Sequence, residues 1–320
     1  MVRFGKTFGV MIGAALTMSH VVAAESSAAE PSPDEPSPAG PISVASKIDT
    51  EGALLGNMIV EVLEHAGYEI ENKLQLGPTN IVRTALLAGE IDIYPEYTGN
   101  GAFFSNTADD PAWKNPQEGY EKIRQWDLER NDLVWLTPAP ANNTWAIAVR
   151  EELAKEHDLQ TMADFGEWVS DGGEVKLAGS AEFVESPAAL PSFQEAYDFT
   201  LSQDQLLVLS GGNTAATIRA AAEGTSGTNA AMVYATDGAI QPAGLKVLDD
   251  TKNVQMVYEP AAVIRKPVLE ANPEIAELLE PVFESLDRET LQKLNSRIQV
   301  AGFPAGKVAR TYLEEQGFLD

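Results

Sequence analysis

The chain has 320 residues with 48 Asp and Glu against 22 Lys and Arg, a formal net charge of −26, three His and no Cys. So acidic a field repels polyanions and argues against nucleic acid as a partner, while the missing cysteine excludes structural disulfides, thiolate metal sites and a lipidated N-terminal cysteine. The length suffices for two domains with sizeable cores.

Arg3 and Lys6 precede an apolar run from Phe8 to Met18, and Val22, Ala23 and Ala24 put small residues before Glu25. This is the pattern of a cleavable secretory signal over residues 1–24, and the run is shorter than the ~20 apolar residues that a membrane span requires. Residues 25–41, rich in Pro, Ser, Ala and acidic side chains, are expected to form a disordered tether. A soluble, freely diffusing periplasmic protein, expected as a monomer, is the reading of these segments, with the acidic surface serving solubility.

From Pro41 onward short apolar runs alternate with amphipathic stretches, the signature of an α/β protein. Ile42 to Ala45 reads as a strand. Asp49 or Thr50 caps a helix from Glu51 to His65 whose Leu54, Leu55, Met58, Val62 and Leu63 share one face, and Gly67 ends it. A strand near Tyr68 to Leu74, a helix from Pro78 to Leu87 and a strand at Ile91 complete a βαβαβ unit. In that last strand Ile91 and Ile93 alternate with Asp92 and Tyr94, and Pro95 suits the first turn of a helix, which would set Tyr97 and Asn100 on one face. Trp145 to Val149 begins a second set of elements, with strands near Val175 to Ala178 and Ala231 to Tyr234 and helices near Phe193 to Phe199 and Thr214 to Glu223. The tail from Glu270 to Gly317 reads as helical, with Pro273 and Pro281 as boundaries and an amphipathic piece from Arg288 to Leu294. No internal repeat is evident in the sequence.

Two long blocks, "SKIDTEGALLGNMIVEVLEHAGY" from Ser46 to Tyr68 and "GPTNIVRTALLAGEIDIYPEYTG" from Gly77 to Gly99, resemble the substrate-binding proteins of osmoprotectant ABC importers, the glycine betaine and choline receptors. "DPAWKN" (Asp110 to Asn115), "LTPAPANNTWAIAVR" (Leu136 to Arg150) and "SAEF" (Ser180 to Phe183) are similar to the OsmF branch of that family. The likeness covers roughly residues 42 to 320. It implies a fold like the type II periplasmic binding proteins, two α/β lobes with a ligand cleft and a hinge between them: 42–141 with 253–320 as lobe 1, and 142–252 as lobe 2. The chain would cross between lobes near Ala141 to Trp145 and near Lys252 to Tyr258, with the tail packed on the first lobe. The implied partners are a small quaternary-ammonium osmolyte and an inner-membrane ABC permease, with no cofactor.

A quaternary ammonium neither donates nor accepts hydrogen bonds, so a receptor attracts it through the negative faces of aromatic rings, at ~0.5 to 2 kcal/mol per desolvated contact. Carried across position by position, the resemblance makes Tyr97, Trp145, Tyr234 in "MVYATDG" and Tyr258 in "VYEPAAVIR" the rings of a cage that converges across a closed cleft. Lys47 and Asn100 hold positions that face a ligand carboxylate. Ser186 stands where the family commonly has a carboxylate-clamping arginine, and Asn143 where some relatives carry an aspartate beside the cation. Losing a bidentate guanidinium weakens carboxylate recognition, so glycine betaine, choline and related betaines all stay open.

Enzymatic readings find little support. His20, His65 and His157 are too scattered for a metal cluster, and no G-x-S-x-G, G-x-x-x-x-G-K-[ST] or H-E-x-x-H occurs. Trp113, Trp126, Trp135 and Trp168 read as core or surface. The expectation is a binding protein without catalysis, with a receptor for another zwitterionic amino-acid derivative, or a periplasmic hydrolase or lyase on the same scaffold, as alternatives.

Overall fold

The computed structural model describes residues 40–209 and 214–320. The leader expected over residues 1–24, and the tether expected over 25–41 apart from its last two residues, lie outside the described residues.

In chain order the first elements are β1 (Ile42–Lys47), α1 (Thr50–His65), β2 (Ile70–Gly77), α2 (Thr79–Ala88) and β3 (Ile93–Tyr97). A 3₁₀ turn at Thr98–Asn100 leads to α3 (Gly101–Phe104), and after a second 3₁₀ turn at Pro111–Lys114 come α4 (Pro116–Asn131) and β4 (Leu133–Trp135). Next are β5 (Trp145–Arg150), α5 (Glu151–Glu156), α6 (Met162–Ser170), β6 (Leu177–Ser180), α7 (Ala181–Glu185), α8 (Leu190–Ala196), β7 (Leu206–Leu209), α9 (Thr214–Glu223), β8 (Ala230–Tyr234) and β9 (Leu245–Val247). The chain closes with β10 (Pro260–Arg265), α10 (Lys266–Ala271), α11 (Glu274–Glu284), α12 (Arg288–Gln299) and α13 (Ala305–Gln316).

The strands form two five-stranded sheets, ordered β2-β1-β3-β10-β4 and β7-β6-β8-β5-β9. In the first, β1 runs parallel to β2 and β3, and β10 runs antiparallel to β3 and β4. In the second, β6 runs parallel to β7 and β8, and β5 antiparallel to β8 and β9. The two sheets therefore share one topology, which no sequence repeat announces. The chain passes between them twice, from β4 to β5 and from β9 to β10. The two crossings bond to each other: Asn143 N donates to Tyr258 O at 2.9 Å, and Tyr258 N donates to Asn142 Oδ1 at 2.8 Å.

Local chemistry explains the elements that the sequence foretells. The Asp49 side chain accepts from Gly52 N at 2.7 Å and starts α1, whose Leu54, Leu55, Met58, Val62 and Leu63 are all buried. Gly67, at φ +91°, lets the chain leave that helix in a conformation that other residues adopt at a cost. The tail packs on the first sheet as expected, because Leu279, Leu291, Val308 and Leu313 join the core of β1 and α1. The opposite face of that sheet is covered by Val82, Leu86, Trp113, Ile123 and Trp135. Phe165 and Phe193 pack on one face of the second sheet, and Ile218 and Ala221 on the other.

Two prolines correct the sequence reading. Pro95 lies inside β3 instead of opening a helix. Thr98 N donates to Glu259 O, so by the alternation of an antiparallel ladder the nitrogen of Pro95 faces away from β10. On that other side β1 pairs with β3 only at Val44 and Ile93, so the ladder stops before Pro95, which has no N–H to continue it. Pro281 lies within α11 instead of bounding it. It sits on an exposed side of the helix, where water can serve the carbonyl deprived of its donor.

The helix α4 has no counterpart in the sequence reading, because only Gly119, Ile123 and Asp127 are buried along it and one of the three is a carboxylate. Asp127 accepts from Arg83 Nη1 at 2.9 Å and Trp135 Nε1 at 2.6 Å, so a polar anchor replaces the apolar stripe that periodicity detects.

Candidate functional site

A parallel strand with a parallel neighbour on each side leaves a crevice beyond its carboxyl end, where the connections turn in opposite directions. Each sheet has one such place. In the first, Lys47 ends β1 and Tyr97 ends β3; in the second, Ser180 ends β6 and Tyr234 ends β8. The antiparallel fourth strand of each sheet begins at the same edge. Tyr97 is opposite Pro260, two residues beyond Tyr258, and Tyr234 is opposite Trp145. Three of the four aromatics expected to form the cage thus lie at strand ends of two like sheets, and Tyr258 lies two residues before the fourth strand of the first.

All eight residues singled out in the sequence line one of two adjoining cavities. The first, of about 560 Å³, is lined by Lys47, Tyr97, Asn100, Asn143, Tyr234 and Tyr258. The second, of about 540 Å³, is lined by Trp145 and Ser186 together with Asn143, Tyr234 and Tyr258. Asn143, Tyr234 and Tyr258 line both. Tyr97, Tyr234 and Tyr258 share the first cavity, and Trp145, Tyr234 and Tyr258 the second. Trp145 and Tyr234 stack with centroids 6.5 Å apart, but among the described residues no ring contact joins that pair to Tyr97 or Tyr258.

The polar groups at Tyr97 are held by partners within the protein. Lys47 is 6% exposed and paired with Glu96, which is fully buried, and its ammonium stands 4.4 Å from the centre of the Tyr97 ring. Asn100 Nδ2 donates to the same Glu96 oxygen at 2.8 Å, and Tyr94 donates its hydroxyl to the other at 3.0 Å. Both groups expected to meet a ligand carboxylate are thus already engaged by a carboxylate of the protein itself. The Tyr97 hydroxyl donates to Glu51 Oε1 at 2.7 Å, and burial, followed by the charges of Glu51 and Asp49, holds it protonated well above the ordinary phenol range.

Behind the second cavity the buried Phe183 meets Trp145 edge-on at 5.9 Å. Tyr234 is 38% exposed, and its backbone N–H donates to Asp237 at 2.9 Å. Burial pushes the Asp237 carboxyl up against that hydrogen bond. Ser186 caps α7 and takes no part in the ring pair. Lys114 and Glu182, which line the cavity with Ser186 and Trp145, bring one charge of each sign to it.

Sequence reasoning did not single out Glu51, Glu96 or Asn295, although the first and last line the first cavity and Glu96 holds Lys47. Glu96 carried a signal. It lies between Pro95 and Tyr97 in a run that alternates toward a core, where a carboxylate requires a partner.

The model of the substrate-binding domain of ABC-type glycine betaine transport systems matches residues 40–315. The glycine betaine-binding protein YehZ of Escherichia coli strain K12 is 56% identical over 280 residues, 88% of this chain and 92% of that protein. A glycine-betaine-binding protein of Pseudomonas aeruginosa is 31% identical over 88% of this chain and 90% of its own length. A solved structure of ligand-free YehZ from Escherichia coli superposes with a TM-score of 0.85 at 56% identity, covering 88% of this chain and all of that one.

Proposed function

Since the chain belongs to the family of substrate-binding domains of ABC-type glycine betaine transport systems, we propose that it captures a small quaternary-ammonium osmolyte in the periplasm and delivers it to an inner-membrane permease. Tyr97, Trp145, Tyr234 and Tyr258 form the cation site, and the lobes 42–141 with 253–320 and 142–252 close around it. The observation that carries this reading is the pairing of aromatic strand ends at the carboxyl edges of two like sheets, around cavities that share Asn143, Tyr234 and Tyr258. Ring faces contributed from two sheets draw a cation into the gap and favour closure over it. The protein acts as a monomer and transforms nothing. Its carboxylate side is the weaker half, since Lys47 is committed to Glu96 and Ser186 offers only a hydroxyl.

Titration calorimetry of the mature chain with glycine betaine, choline, carnitine, proline betaine and ectoine tests this. At least one trimethylammonium compound should bind and be recovered unchanged. A panel without binding, or a chemically altered ligand, would overturn the reading.

A further inference from the structure

Resting on that reading of the site, we propose that Glu51 is its positioning residue, a buried carboxylate that ties Tyr97 to the chain segments carrying Trp145 and Tyr234. Glu51 is the second residue of α1, 5% exposed, and lines the first cavity. Its Oε1 accepts from the Tyr97 hydroxyl at 2.7 Å and from Asn143 Nδ2 at 3.0 Å, and its Oε2 accepts from Asn295 Nδ2 at 2.7 Å. Asn295 Nδ2 also donates to Thr236 O at 3.0 Å. Asn143 precedes Trp145 by two residues and Thr236 follows Tyr234 by two, so one carboxylate reaches a cage ring of the first sheet directly and both strand ends of the second through one amide each. Gln292 Nε2, donating to Ala235 O at 2.7 Å, fastens the Thr236 segment to α12 beside Asn295.

Every group that meets Glu51 is a donor. Both amides turn their NH₂ toward it, leaving Asn143 Oδ1 and Asn295 Oδ1 buried without a partner among the described residues. That set suits an acceptor-only carboxylate and opposes a protonated acid or a glutamine, either of which would bring a donor against donors. Ionised, Glu51 also strengthens Tyr97 as a cation site, because a phenol donating to an anion has a more electron-rich ring. The charged and titratable groups around it are Tyr97 of β3, Asp49 before α1, Lys47 of β1 and Asp237 after β8. Burial, with Asp49 adding to it, pushes the Glu51 carboxyl up from its ordinary range, while hydrogen bonds from Thr236, Tyr97 and Asn295 oppose the rise. Acid should therefore protonate Glu51 at a higher pH than an ordinary carboxyl and release Tyr97 and Asn143.

The test is calorimetric titration from pH 5 to pH 8 of the wild type, Glu51→Gln and Tyr97→Phe, with glycine betaine, whose own carboxylate stays ionised throughout, or with whichever panel member binds the wild type best. Wild-type affinity should fall as pH drops. Glu51→Gln should bind roughly ten- to a hundredfold more weakly at pH 8, the loss expected for charge-assisted hydrogen bonds, with a profile that no longer falls toward acid. Tyr97→Phe keeps the ring but removes one donor from the carboxylate, so its acid midpoint should move upward, and this variant decides the matter if Glu51→Gln does not fold. Wild-type affinity and profile in Glu51→Gln, or an unmoved midpoint in Tyr97→Phe, would overturn the role of Glu51 while leaving the functional reading intact. A wild type that binds no member of the panel would overturn both.

Discussion

Trp145 and Tyr234 face each other across β5 and β8, and their rings stack with centroids 6.5 Å apart and planes inclined by 28°. The register of the ladder makes this contact, since residues directly opposite in an antiparallel pair bring their side chains together on one face. A slip of either strand by one residue would turn its ring to the other face of the sheet and part the pair. The corresponding edge of the first sheet sets Tyr97 opposite Pro260, with Tyr258 just beyond it. A cation drawn between the sheets would therefore meet ring faces whose positions backbone pairing has already set.

Trp145→Ala, Tyr234→Ala and Tyr258→Ala should each weaken osmolyte binding by about 1 to 3 kcal/mol, through lost cation–π attraction and shape. Unfolding should stay cooperative, because all three rings lie at the cavities and not among the largest fully buried side chains. Calorimetry paired with thermal melts checks this. Folded variants with wild-type affinity would remove the rings from the site.

Ser186 lines the second cavity with Trp145, Tyr234 and Tyr258, and Ser186→Arg would bring a two-pronged donor there. A carboxylate gains from that fork and an alcohol does not. The ratio of glycine betaine to choline affinity should rise by roughly tenfold, as for one charge-assisted hydrogen bond. An unchanged ratio would show that this position does not face the carboxylate end of the ligand.

Gly99 is where the 3₁₀ turn after β3 passes under Tyr258. A methyl group added there would stand 2.7 Å from two ring carbons of Tyr258 and 2.7 Å from Val257 O. Gly99→Ala should push that ring out of place, with strain of about 1 to 3 kcal/mol in stability and a matching loss of affinity. A crystal structure of the variant with Tyr258 unmoved would contradict this.

Glu259 lines a separate cavity of about 460 Å³ beside the crossings, with Asn142 and Gln255. Burial pushes its carboxyl up from 4.5 to about 7. The folded state therefore holds this proton more tightly than the unfolded chain does. The resulting contribution to stability is complete below pH 4.5 and is lost as pH rises through about 7. Glu259→Gln should raise the melting temperature more at pH 8 than at pH 5, by an amount worth up to ~3 kcal/mol before solvent screening reduces it. Equal gains at both pH values would mean that Glu259 does not titrate in this window.

The helix α1 was legible from sequence because its cap, its apolar face and its glycine stop all lie within a few turns of one another, and local rules read such distances. Likewise the aromatics of the proposed site were legible, as members of long family blocks. Pro95 and α4 were misread or missed for a different reason. The tolerance of β3 for a proline depends on how far β1 runs beside it, and α4 is anchored by an aspartate that Arg83 and Trp135 satisfy. The same limit hid the network under the rings. Glu51 meets Tyr97 across 46 positions, Asn143 across 92 and Asn295 across 244. The residue types and their order along the chain carried the ligand chemistry. Only the packing of α1 and α12 against the ends of the two sheets decided which buried carboxylate each amide and hydroxyl would serve, because a hydrogen bond depends on distance in space and periodicity records distance along the chain.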